Sequence, residues 1–152
     1  MDICNDKNIA ALIDRLAHAG IDTPVKAVGT WGSFAPMLAS VLQKKLKRPI
    51  LYISPLIDDA DNASDDLYVF AEKNVEIFPV WEGIEKHIDA TDEIAAQRLN
   101  IAISVSGKKT SKEKIICTCA QALNQPVAKP SELLSKCLEL STGRTIEPQR
   151  II

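Results

Sequence analysis

The octet Gly29-Thr30-Trp31-Gly32-Ser33-Phe34-Ala35-Pro36 occupies the frame of a phosphate-binding loop. A working loop reads G-x-x-x-x-G-K-[ST]. Its amides wrap the phosphates, its lysine reaches the β and γ oxygens, and its hydroxyl holds magnesium. Here Gly29 and Gly32 fit a tight turn and Ser33 follows, but Phe34 stands at the second required glycine. Ala35 replaces the lysine and Pro36 replaces the Ser/Thr. Proline also withholds an N–H that a phosphate cradle would use. We read a degenerate phosphate loop, retained as a strand-to-helix turn, and expect no cofactor. The alternative is a nucleotide-binding or ATP-hydrolysing P-loop domain with an atypical loop.

Three other groupings carry candidate chemistry. The run Asp58-Asp59-Ala60-Asp61-Asn62-Ala63-Ser64-Asp65-Asp66 offers hard oxygen ligands, but an EF-hand frame from Asp59 fails. Ala63 takes a ligand position, Ser64 replaces the turn glycine, and Phe70 stands at the bidentate Glu. A solvated acidic helix face is expected instead, and no metal site. Trp81, Glu82 and His87 share a segment following an apolar run, where open α/β sheets place ligands. With no nucleophile or metal ligand beside them they are read as non-catalytic, with Trp81 and Glu82 as the candidate interaction loop. The basic clusters Gln43–Arg48 and Lys108–Lys114 lack interleaved aromatics and read as a helix end and a solvated turn.

The four cysteines show neither CxxC nor zinc spacing. Cys117 and Cys119 lie two apart in an apolar strand pattern and share a face; with Cys4 and Cys137 they are read as reduced core residues. At 152 residues, 46% hydrophobic and 25% charged, the chain has the size and balance of one globular domain. A net charge of −2 gives no global positive field for nucleic acid. No apolar run approaches the roughly 20 residues of a membrane span, and the acidic N-terminal stretch lacks a signal-peptide pattern. A cytoplasmic protein without membrane contact is expected.

The elements that must position these residues follow from hydrophobic periodicity. Ile9, Leu12, Ile13 and Leu16 mark a leading helix within 1–22, stopped near Gly20. An α/β core over 23–144 opens with a short strand at Pro24–Gly29. A helix follows, with Ser33 as N-cap, Pro36 in its first turn, and Leu38, Val41 and Leu42 inward. Arg48–Ser54 reads as a strand buried on both faces. Ile57–Ala71 reads as a helix with Ala60, Ala63, Leu67, Phe70 and Ala71 inward.

A third strand is expected at Asn74–Val80, then a helix opened by Thr91 or Asp92 carrying Ala95, Leu99, Ala102 and Ile103 on one side. Lys114–Cys119 gives a fourth strand, followed by helical pieces at Ala120–Asn124 and Ser131–Cys137 and a short segment at Leu138–Leu140. Alternation at this spacing predicts a three-layer α/β fold, a mostly parallel sheet flanked by helices. Thr145 and Pro148 look like the start of a helix over 145–152 that ends within one turn. The expectation is a piece, residues 1–152, of a longer multidomain protein.

Several stretches together resemble a known family. Gly32–Phe70 looks like the first strand–helix–strand–helix unit of the UvrB-like module at the N-terminus of bacterial transcription-repair coupling factors. Val75–Ala102 is similar to that family's strand, Pro-x-Trp-Glu turn and acidic–Arg-Leu helix. Lys114–Glu147 resembles its next strand, its x-x-A-L-x-Q helix and its L-x-L-x-x-G segment. After Trp81 and Glu82 the family often has a Leu-Pro-Tyr-Asp-like turn, and here Gly83, Ile84 and Glu85 follow. The stretch Pro79–Thr91 is too short for the DNA-opening hairpin of UvrB itself.

The resemblance implies a P-loop-NTPase/helicase-like fold with a degenerate Walker A and no catalysis by this chain, although the full-length family is an ATP-dependent DNA translocase. It implies a scaffold contributing to UvrA recruitment in transcription-coupled nucleotide excision repair. Its partners would be other domains of its own longer chain, and UvrA through the wider module. RNA polymerase and DNA would be reached only through other domains. A free-standing small α/β binding protein is a third reading.

Overall fold

The structure is a computed structural model and describes residues 3, 6–20, 22–81, 91–106, 111–129, 132, 142, 143 and 145. The expectations for Cys4, Glu82, His87, Lys108, residues 131 and 133–140, and Pro148 lie outside the described residues.

Helix α1 spans Lys7–His18. Asp6 caps it, its Oδ1 accepting from the Asn8 and Ile9 amides at 2.8 and 3.2 Å. Ile9 is its buried residue. The helix stops at His18, with Ala19 already extended, so it ends near Gly20 as expected, without a left-handed glycine there.

Helix α2 (Phe34–Leu46) leads through a three-residue turn into strand β1 (Ile50–Ser54). Helix α3 (Ile57–Ala71) follows, then β2 (Val75–Ile77), α4 (Thr91–Ser106), β3 (Ile115–Cys119) and α5 (Ala120–Leu123). The three strands form one parallel sheet in the order β1-β3-β2. Leu51 is in register with Ile116, Tyr52 with Cys117, and Ile77 with Cys117. The result is a mixed α/β fold with a small parallel sheet flanked by helices.

The two sheet faces are covered unequally. On one face α3 lays Ala60, Ala63, Leu67 and Ala71 against Ile115, Cys117 and Cys119, with α2 packed alongside. This is the core, and β3 at its centre is buried at every position, with Thr118 Oγ1 donating to Phe78 O at 2.9 Å. On the other face α4 contributes Ile101 beside Phe78 and Ile116.

Four expectations are corrected. Pro24–Gly29 is not a strand: β1 pairs with β3 alone, and Ala27 and Val28 are exposed. Between Pro24 and Gly29 lie only four residues, one of them Lys26, too little apolar surface to hold a pairing edge. Strand β1 is buried on one face only, because α4 sits over β2 and β3; Leu51 and Ile53 are 52% and 51% exposed.

The inward face of α4 runs through Arg98, Ile101 and Ala102, while Leu99 is 38% exposed. An arginine with four acceptor contacts turned the helix from its apolar stripe. Lys114, read as part of a solvated turn, is half-buried and donates to Glu76 Oε1 at 2.6 Å and Ser104 Oγ at 2.8 Å.

Candidate functional site

In a parallel sheet the connecting helices run back antiparallel to the strands. The N-termini of α2 and α3 and the segments after β2 and β3 therefore gather at the carboxyl end, where open α/β sheets bind ligands. Of the expected site residues, Gly29, Gly32, Ser33, Ala35, Pro36 and Trp81 fall on this end.

Gly29 and Gly32 sit at φ +79° and +53°, conformations that suit glycine, and an added Cβ would meet nothing within 4 Å at either. Backbone path, not ligand clearance, accounts for the two glycines. The turn closes through the Phe34 amide donating to Trp31 O at 3.1 Å. Ser33 holds the N-cap position of α2 but is helical itself (φ −68°, ψ −2°) and its hydroxyl makes no cap bond. A capping side chain serves the second or third helical amide, and here the third is Pro36. Ser33 as a functional cap is thus corrected. Ala35 and Pro36 lie in the first turn of α2, with Pro36 buried.

A cleft of about 1110 Å³ opens beside the loop, lined by Ile9, Leu12, Val28, Gly29, Thr30 and Phe34, with Arg15 and Lys26 on its walls. The cations missing from the loop are thus represented across a cleft, without the wrapped amides of a phosphate cradle.

Trp81 is held by a two-way clasp. Its amide donates to Gln125 Oε1 at 2.6 Å, and Gln125 Nε2 donates to Trp81 O at 2.9 Å. Arg98 locks the same junction from within, only 3% exposed. Its Nη1 donates to Pro79 O, Ala122 O and Gln125 Oε1, and its carbon centre lies 4.2 Å from the Phe78 ring centroid. Burial lowers the Arg98 pKa from its ordinary value. The sequence reading noticed Trp81 and missed both of its supports. The one available signal was an Arg four residues before an apolar pair on a helix.

Cys117 and Cys119 are both buried and free, on the face toward α3. The Cys117 thiol donates to Ala60 O at 3.2 Å, and burial pushes its pKa up to about 11. A thiol held neutral is a poor nucleophile. Iodoacetamide at pH 8 is expected to leave both cysteines unmodified in the native chain and to alkylate both in urea, read by peptide mass. Because the folded pKa is raised, stability is full below the ordinary thiol pKa of 9.0 and falls as pH climbs toward about 11. Unfolding midpoints measured from pH 8 to 11 should decline, and less so in Cys117→Ala.

The aspartates of α3 form an exposed flank, Asp58 and Asp59 opening the helix, and no group of three metal-ligating side chains converges among the described residues. No described helix is long and apolar enough to cross a membrane. Beside the uncovered β1 face lies an apolar groove of about 700 Å³, bounded by Leu51, Phe78, Ile101, Ile116, Leu123 and Val127.

The fold and these surfaces define the chain as a small parallel α/β protein with a glycine-shaped turn at the sheet's carboxyl end. Comparison with protein-family models, curated proteins and solved structures finds no match.

Proposed function

We propose that this chain is a non-catalytic, UvrB-like module of a cytoplasmic transcription-repair coupling factor, with a helicase-like fold whose phosphate loop has lost its chemistry. It works by contact, as a scaffold contributing to UvrA recruitment. The observation that carries this reading is the Gly29–Pro36 turn. It has left-handed glycines at the start of a helix, yet offers alanine where a nucleotide needs a cation, and proline where it needs a hydroxyl and an amide. The uncovered apolar groove beside β1 supports a contact role, since patches of this kind mark interaction surfaces.

The cleft between Arg15, Lys26 and the Gly29 turn favours one other reading, a nucleotide-binding domain. Isothermal titration with magnesium ATP separates the two. The scaffold reading expects no saturable heat at micromolar to millimolar nucleotide. Micromolar binding that disappears in Gly29→Val or in Arg15→Gln with Lys26→Gln would overturn it. A pull-down with UvrA, by this chain and by one extended through the next subdomain, should retain UvrA on the longer chain.

A further inference from the structure

The two basic clusters of the sequence, more than sixty residues apart, meet at the opposite end of the sheet. Gln43 Nε2 donates to Lys112 O at 3.1 Å, and the Ile50 amide donates to Lys114 O at 2.9 Å. Gln43 is buried, so the junction is a fixed one. The C-termini of α2 and α3 and the starts of all three strands share this amino end, as parallel topology requires.

Most cations here have a structural task. Lys44 Nζ donates to Phe70 O in the last turn of α3, and Arg48 donates to Leu16 O in the last turn of α1. Both satisfy free carbonyls at a helix C-terminus. Lys73 pairs with Glu113 at 3.0 Å and Lys114 with Glu76 at 2.6 Å. Lys45, Lys47 and Lys112 are exposed and make no ion pair or side-chain hydrogen bond among the described residues. Lys47 even occupies a left-handed position, φ +51°, where glycine or asparagine would be less strained. Two exposed carboxylates lie nearby, Glu72 at the C-cap of α3 and Glu113, which pairs with Lys73.

The acidic start of α3 does not cancel this field. Asp58 and Asp59 lie about 18–20 Å from its C-terminus, more than two Debye lengths at physiological salt, and Asp65 and Asp66, nearer to it, are fewer than the cations gathered here. A chain of net charge −2 thus presents a locally cationic end.

We propose that this amino end is a polyanion-docking surface for the phosphate backbone of duplex DNA, contacted by Lys45, Lys47 and Lys112. The contact is sequence-independent, because lysines are point charges and phosphate contacts carry no sequence information. It does not rest on the scaffold reading and adds a direct DNA contact that the family resemblance assigns to other domains.

The test is fluorescence anisotropy with a labelled 20-bp duplex of random sequence. Binding is expected with a dissociation constant of about 10–100 µM at 50 mM salt, in the non-specific range. Three neutralised phosphates give a slope of log K against log salt of about −2.7, so 150 mM salt weakens binding roughly 20-fold. The triple variant Lys45→Gln, Lys47→Gln, Lys112→Gln should bind at least tenfold more weakly with unchanged circular dichroism. Removing the same charge elsewhere, in Lys7→Gln, Arg15→Gln, Lys26→Gln, should weaken binding less than threefold. Equal losses in the two triple variants, a flat salt dependence, or attachment to anionic vesicles without attachment to duplex would each overturn the assignment.

Discussion

Leu67→Ala will destabilise the chain by about 3–4 kcal/mol, within the range of large-to-small changes at closed core sites. Leu67 is 1% exposed, in the middle of the α3 face that carries Ala60, Ala63 and Ala71. Those neighbours on its own helix are alanines, so Leu67 supplies most of the volume that α3 inserts against Ile115 and Cys117. Small residues bring the helix close to the sheet and leave no long side chain able to swing into the vacated space. The site collapses poorly, which places the cost toward the upper part of the range. Urea denaturation followed by circular dichroism gives the number. Leu67→Met, which keeps the volume, should cost less than about 1.5 kcal/mol. Tyr68 and Val69, exposed on the outer side of α3, provide the contrast: Val69→Ala should stay within about 0.5 kcal/mol.

The limits of helix α3 were legible because its signals agree. Leu67 and the alanines repeat at helical spacing, aspartates open the first turn, and no proline or glycine interrupts it. Strand β3 was legible for a similar reason, since a mostly apolar, β-branched run suits a strand enclosed on both faces. The same logic misled at β1. Leu51 and Ile53 read as buried because hydrophobicity records what a residue can bury, whereas burial depends on which strand ends at the sheet edge. At Gly29 and Gly32 the glycine pattern announced a tight turn, and both sit in the left-handed region. It could not say that the segment before them pairs with nothing. Lys45, Lys47 and Lys112 were visible as charges, but their convergence is a property of parallel topology. The α4 face was legible in part: Ala102 is buried and Ala95 and Ile103 half-buried, but periodicity counts Arg98 as polar and outward and so placed Leu99 inside.

Arg98 is where the second large effect is expected: Arg98→Ala should cost about 3 kcal/mol. Its guanidinium donates to Pro79 O, Ala122 O and Gln125 Oε1, so truncation leaves two main-chain carbonyls and one amide short of donors. Bonds from a charged donor contribute about 1.5–3 kcal/mol each, and burying the charge takes much of that back. What remains includes the stacking of the guanidinium on Phe78, a contact the neutral variant cannot make. Arg98→Lys will not rescue, because an ammonium cannot spread its donors as a planar fork does. The loss should be local as well as global. Gln125 would be released from Arg98, and with it the clasp on Trp81. In a Trp31→Phe background, which removes the other tryptophan, 85% exposed, the emission of Trp81 reports on that clasp. It should shift red in Arg98→Ala under conditions where circular dichroism still shows a folded chain. A double-mutant cycle with Gln125→Ala should give a coupling of about 1 kcal/mol or more, since the two side chains act on the same junction. Additive losses, or an unchanged Trp81 emission, would mean that Arg98 stabilises α4 alone. In that case the Trp81 segment is positioned by Gln125 without it.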